Sequence, residues 1–329
     1  MLVFIKSAIR FATIFLFGST GETITEKSGH LNLGTPGIMC LGALGGCIGA
    51  SLYMESLGIN AEIINQPEQV AAAAANINGF AAILLCILFA MIFAGAGGLI
   101  YGFLTITLRC NQNVTGLAIT TFGAGITNFF INYVDRSGFN YLAAKFTAPI
   151  SGSDDWFSTI FLSHGALVYI AIVLALVVAF VFKKTRAGLN LTAIGENPAT
   201  ADAAGINVTG YKYTSCVLGG AIAGLGGLFY IMDYLYGSWE YAMEDLGWLA
   251  VALVIFSVWK PNWGILGSIL FGAFYIMPIY VDVSFAAKEL IKMVPYVATI
   301  LILIFTSILN RRESQPPAAL GLSYFREER

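Results

Sequence analysis

Charge is scarce in this chain. Only 11% of its 329 residues are Asp, Glu, Lys or Arg, where a soluble domain carries roughly 25%. That excludes a water-soluble enzyme domain as the leading reading, and a charged disordered chain with it. Histidine is nearly absent: His30 and His164 are the two, too few and too far apart for a zinc site. The cysteines Cys40, Cys47, Cys86, Cys110 and Cys216 form no Cys-x-x-Cys pair. They read as small buried hydrophobes rather than a disulfide framework or metal set. No Gly-Lys dipeptide occurs, so there is no Walker A loop to cradle a nucleotide phosphate. The net charge of −2 leaves no basic footprint for nucleic acid.

Apolar residues are abundant instead. They make up 57% of the chain, enough for roughly nine crossings at about 20 residues each. The predicted fold is an all-α polytopic transmembrane bundle of about 8–10 membrane helices. Apolar runs lie at Leu2–Ser19, Thr35–Tyr53, Ile77–Leu108, Val114–Tyr133, Phe161–Phe182, Tyr213–Met232, Leu246–Val258, Trp263–Val281 and Met293–Leu309. Residues 1–310 are expected to form one transmembrane domain, with the loop 183–212 on its cytoplasmic side, and 311–329 a cytoplasmic tail.

Basic residues set the orientation. Lys27, Arg109, Lys183, Lys184, Arg186, Lys212, Lys260, Arg311, Arg312, Arg326 and Arg329 fall on one side, 11 of the 17. The opposite loops hold Arg136, Lys145, Lys288 and Lys292, with 12 of the 19 acids. The first side is therefore expected to be cytoplasmic, with the C-terminus inside. The first run, broken by Lys6 and Arg10, allows two topologies: a ninth crossing, or an amphipathic helix lying in the interface. It does not resemble a cleaved signal peptide.

Glycines at Gly42/Gly46, Gly45/Gly49, Gly98/Gly102 and Gly220/Gly224 have the spacing that brings helix backbones together in lipid. Trp156, Trp239, Trp259 and Trp263 fall at segment ends, as interfacial anchors do. Asp233, Glu240, Glu244 and Asp245 cluster in one outer loop, and Asp154-Asp155 lies in another. Both could meet a basic partner.

The loop 183–212 carries a complete helix signal. Asn197 can cap the first free amides. Pro198 fits the first helical position, and Gly205 supplies the left-handed residue that ends the helix. Asp202 is its solvent-facing charge. Two turns of mostly alanine do not hold alone in water, so this helix is expected to dock on something. In the fourth run Thr121, Gly125, Asn128 and Asn132 share one helical face. A polar stripe through a membrane helix faces protein or a water-filled path. Phe122, Phe129 and Tyr133 stand beside it. Asn32, in the break Gly29–Gly37, is a second pathway candidate, because a broken segment can offer backbone groups to a ligand.

Residues Gly195–Lys212 resemble the cytoplasmic coupling segment of ABC-importer permeases for simple sugars, nucleosides and branched-chain amino acids. Thr25–Met39 is similar to the family's N-terminal signature. Arg109–Ala118, with Asn113, is similar to its middle motif, and Gly247–Phe256 through Trp259–Pro261 to its late motif. The four occur in the family's order over residues 20–280, closest to the nucleoside and simple-sugar branch. Thr35-Pro36-Gly37 departs from the branch, which more often has an acidic residue before this glycine.

The resemblance implies a permease subunit that passes a small polar solute inward. Energy would come from ATP and Mg on partner ATPase subunits, with no cofactor in this chain. The other implied partners are a second permease, expected to be a different chain, and an extracytoplasmic substrate-binding protein. Gly195, Glu196, Asn197, Pro198, Asp202 and Gly205 would form the coupling element, and replacing Glu196 or Gly205 is expected to uncouple transport. Asn32, Asn113, Thr121, Asn128 and Asn132 are the pathway candidates. The implied location is the cytoplasmic membrane of a prokaryote. An ion-coupled secondary transporter is the alternative. It would need ionisable groups deep in helices, and the runs beginning at Thr35, Val114, Phe161, Tyr213 and Met293 carry none away from their ends. A membrane enzyme would need a constellation of acids, His or Cys that the sequence does not supply.

Overall fold

A computed structural model describes residues 1–60, 66–150, 155–281, 284–309 and 315–325. The apolar runs become helices: α1 Leu2–Lys27, α2 Thr35–Ser56, α3 Pro67–Ala74, α4 Gly79–Gly102, α5 Gln112–Phe130, α6 Phe139–Phe146 and α7 Trp156–Phe161. These are followed by α8 Ala166–Lys184, α9 Arg186–Glu196, α10 Pro198–Ala203, α11 Val208–Phe229, α12 Glu244–Phe256, α13 Pro261–Tyr280 and α14 Phe285–Leu309. Helices α4 and α11 each end in one π-helical stretch, Phe103–Thr107 and Tyr230–Tyr234. Among the described residues, eight helices are long and apolar enough to cross a membrane. Asp154, Arg311, Arg312, Arg326 and Arg329, which entered the charge readings, lie outside the described residues.

Helix α1 decides the topology that the sequence leaves open. It is buried without a break from Phe11 to Thr23, whereas an interfacial helix would keep one face wet. Its two ends meet opposite ends of the bundle. Near its start, Arg10 Nε donates to Asp233 Oδ1 at 2.6 Å, just past α11. Near its end, Trp259 Nε1, in the turn between α12 and α13, donates to Glu26. Residues 233–259 therefore run back along α1. The 13-residue α12 makes that traverse together with its flanking turns, and its apolar run, Leu246–Val258, is the shortest of the nine. The tail lies at the Lys27 end, where Gly321 N donates to Gly29 O at 3.1 Å. Met1 and the tail residues 315–325 thus lie towards opposite ends of α1.

The glycine spacings close the bundle internally. A methyl group on Gly42 would stand 2.4 Å from the Gly224 backbone, and one on Gly98 would stand 2.2 Å from the Cys216 carbonyl oxygen. Gly45 and Gly49 seat Phe89, and Gly46 seats Leu228. Without a hydrophobic driving force inside lipid, such backbone contact is what holds α2, α4 and α11 together.

Several expectations need correction. Helix α1 does not stop at Ser19. It runs eight residues further, because protein rather than lipid surrounds its polar end. Of the four tryptophans read as anchors, Trp259 is buried and bonded to Glu26 and is no interfacial anchor; Trp156 and Trp263 are exposed. Asp233 is buried against Arg10 and cannot serve a partner protein. Four of the cysteines are buried, but Cys110 is exposed, because it sits in the turn before α5.

Candidate functional site

Two surfaces and one buried node carry the functional argument. The first surface is at the Lys27 end. Loop 183–212 holds two helices, not one. Thr185 Oγ1 caps α9 at the Gly188 N–H. Asn197 Oδ1 accepts from Thr200 N at 3.0 Å and starts α10, with Pro198 in its first turn. Gly205 closes α10 at φ +83°, in the left-handed region where glycine has no steric penalty. Ile194, Ala201 and Val208 form a small core of their own, with Tyr211 and Tyr324 packed on it. This answers how so short a helix persists: the loop packs on itself and on the tail. Ala199, Thr200, Ala203 and Ala204 remain exposed on its far side.

The tail is part of this element, and no local pattern along the chain announces it. Ala319 N donates to Gly195 O at 2.9 Å, and Tyr324 Oη donates to Asp202 Oδ2 at 2.8 Å. Gly195 touches Lys27 so closely that a methyl group there would stand 2.3 Å from the Lys27 carbonyl oxygen. Glu196 is half-buried within electrostatic reach of Lys27. The structure thus joins Gly195, Glu196, Asn197, Pro198, Asp202 and Gly205 into one corner tied to α1.

The buried node lies just inside that corner. After Gly29 the chain turns back into the bundle as an extended strip. Leu31 N donates to Gln112 Oε1 at 2.8 Å, Tyr101 Oη donates to Leu31 O at 2.7 Å, and Thr120 Oγ1 donates to Leu33 O at 2.7 Å. Helix α2 then begins beside Ile119–Gly123, roughly 10–16 Å along α5 from its start at 1.5 Å per residue. Glu22 sits at this embedded helix start. It accepts from Asn32 N at 3.2 Å and from the Thr35 hydroxyl. An acceptor oxygen suits the free amides at the start of a helix. Asn32 is buried, and its Oδ1 accepts from Gly34 N at 2.9 Å, closing the turn. The structure places it in the break, turned onto its own backbone. Glu22 and Glu26 went unnoticed as buried acids because the apolar run ends before them. His30 is buried in the same strip. Desolvation, with Lys212 nearby, lowers its pKa to about 3, so its imidazole is neutral.

The second surface is the outer face of α5. Thr115, Gly116, Ile119, Thr120, Gly123 and Thr127 are buried, and Gly37 of α2 lies against Gly123 and Thr120. The opposite face is open: Asn113, Thr121, Gly125 and Asn132 are exposed and Asn128 is half-buried. Asn128 Nδ2 donates to Tyr241 O at 3.0 Å, and Tyr241 Oη donates to Asn132 Oδ1 at 3.3 Å. Phe122, Phe129 and Tyr133 flank the stripe, exposed. The structure brings these pathway candidates onto one side and leaves Asn32 away from it. Among the described residues no group of three or more His, Cys, Asp or Glu could hold a metal ion.

Residues 4–303 match the family described as branched-chain amino acid transport system / permease component. The chain belongs to this permease family. It is 26% identical over 334 residues to the nucleoside ABC transporter permease NupC of Lactococcus lactis, covering 99% of this chain and 98% of that one. It is 27% identical over 349 residues to the guanosine ABC transporter permease NupQ of Bacillus subtilis, again covering 99% and 98%. A shorter match, 32% over 154 residues, covers 44% of this chain and 43% of the galactose/methyl galactoside import permease MglC of Escherichia coli. No solved structure matches the chain. It is a multi-pass subunit of an ABC transporter in the cytoplasmic membrane, a transport component rather than an enzyme. Membership implies association with ATPase and substrate-binding partners.

Proposed function

We propose that this permease carries nucleosides or simple sugars inward along a path lined by the open face of α5. One observation supports the path above all. Thr121, Gly125, Asn128 and Asn132 form a polar stripe on a largely open face, where Thr121, Gly125 and Asn132 are exposed and Tyr241 bonds Asn128 and Asn132. Such a stripe is unfavourable against lipid and suits a wet path shared with a second permease. Its amides can hydrogen-bond hydroxyls and ring nitrogens, and Phe122, Phe129 and Tyr133 offer ring faces.

In this reading the Lys27 end is cytoplasmic, and α10 with the end of α9 docks on an ATPase subunit that holds ATP and Mg. The second permease is a different chain, and an extracytoplasmic binding protein delivers the solute. Closure of the ATPase pair pushes the corner at Gly195, which is joined through Lys27 and Gly29 to the embedded start of α2. ATP on the partner thereby biases a two-state bundle.

The test is uptake of labelled guanosine and galactose into proteoliposomes holding the complete transporter. Asn128→Leu and Asn132→Leu are expected to cut uptake of the carried solute about tenfold or more, the range for losing a buried hydrogen-bonding group. ATP hydrolysis and assembly should persist. Normal uptake by the double variant would overturn the pathway assignment.

A further inference from the structure

Beside the coupling corner lies a polar cavity of about 390 Å³, closed on one side by the tail. Its size falls within the roughly 300–1,000 Å³ of small-molecule sites. Lys212, on the second turn of α11, lines it. This side chain is only 4% exposed, and among the described residues it has no hydrogen-bond or ion-pair partner. A buried ammonium without a counter-charge is a costly arrangement that an anion would relieve.

Three further observations point the same way. Arg109 lines the cavity, and its guanidinium lies 4.5 Å from the Phe325 ring centroid, with no carboxylate in ion-pair contact among the described residues. Val208 and Thr209, in the first turn of the 22-residue α11, form another wall, where backbone amides and the helix dipole favour negative charge. The one carboxylate in the lining, Asp202, accepts from Tyr324 Oη. His30 is neutral and adds a polar ring without a third charge. Two cations and a helix start therefore face a single carboxylate that is already engaged.

We propose that this cavity binds a soluble phosphomonoester, with its phosphate held between Lys212, Arg109 and the first turn of α11. The walls come from α10, α11, the turn before α5 and the tail, so an occupant ties the coupling corner to the bundle. Bound anion restrains the corner's movement and slows transport. This regulatory part rests on the coupling reading above; the binding part does not.

The binding test uses the purified full chain in phosphate-free detergent buffer, titrated with inorganic phosphate, ribose 5-phosphate and ribose while heat released and thermal midpoint are recorded. Both phosphates should bind saturably and raise the midpoint, and ribose should do neither. Lys212→Met should weaken both phosphates at least tenfold while raising the midpoint of the unliganded chain, because a buried unpaired charge is gone. Arg109→Gln should weaken them without altering the unliganded midpoint. Equal phosphate affinity in wild type and Lys212→Met would overturn the site. So would a failure of both phosphates to bind at millimolar concentration. Stabilisation seen only in nanodiscs containing phosphatidic acid would overturn the soluble source in favour of a lipid headgroup. In proteoliposomes, ribose 5-phosphate that binds without slowing transport would refute the regulatory part alone.

Discussion

Gly195 is where the coupling reading can be tested most sharply. Replacing it with alanine places a methyl group 2.3 Å from the Lys27 carbonyl oxygen and 3.3 Å from Pro317 Cβ. The nearer atom is backbone and cannot swing aside. Helix α9 must therefore lift from α1 by about 1 Å to reach ordinary contact, stretching the 2.9 Å bond from Ala319 N to Gly195 O. Overpacking of this kind costs about 1–3 kcal/mol. A penalty of about 1–2 kcal/mol shifts the balance between seated and lifted corners by roughly 5–30-fold. Helix α10 begins three residues later, at Pro198, so the lift reaches the face that docks on the ATPase. The assay is solute transported per ATP hydrolysed in proteoliposomes containing the whole transporter. Gly195→Ala should insert and extract normally while that ratio falls by about the same factor. Gly205→Ala is the control. A methyl group there meets nothing within 4 Å, and only the left-handed backbone is strained, by roughly 1–2 kcal/mol. Its effect should be smaller and confined to α10. An unchanged ratio in a correctly assembled Gly195→Ala transporter would refute the reasoning.

Two further outcomes follow from the buried strip. Glu22→Ala leaves the Asn32 amide and the Thr35 hydroxyl without their acceptor, at about 1–3 kcal/mol for each group. It should lower the thermal midpoint clearly more than Glu22→Gln, which keeps a carbonyl acceptor; equal midpoints would remove Glu22 from the start of α2. His30 titrates at about 3 in the folded chain, below its ordinary 6.5, so the unfolded chain takes up the proton first. Its contribution is intact above pH 6.5 and declines by up to about 1.4 kcal/mol per unit as pH falls towards 3. His30→Gln should therefore flatten the fall in thermal midpoint between pH 7.5 and 5; an unaltered slope would show that His30 is not the group responsible.

Local chemistry determined much of this protein. Apolar runs, glycine spacings and the Asn197–Pro198–Gly205 signal depend on residues close in sequence, and each led to the helix, contact or cap that the structure contains. The polar stripe of α5 was likewise legible, because one helix periodicity puts Thr121, Gly125, Asn128 and Asn132 on one side. Only the tertiary structure decided what surrounds a segment. Composition ended α1 at Ser19, since lipid would reject Glu22 and Glu26. Enclosure by α2, α11 and α12, with the Asn32 amide, Thr35 and Trp259 as partners, admits both acids. The same holds for Asp233, which looks like a solvated loop acid until Arg10 appears beside it from 223 residues away. The docking of the tail on Gly29, Gly195 and Asp202 is also invisible along the chain. Contacts between residues more than a hundred positions apart leave no periodicity or spacing to read, and they fix which polar groups are paired, which are free, and where a ligand or partner has room.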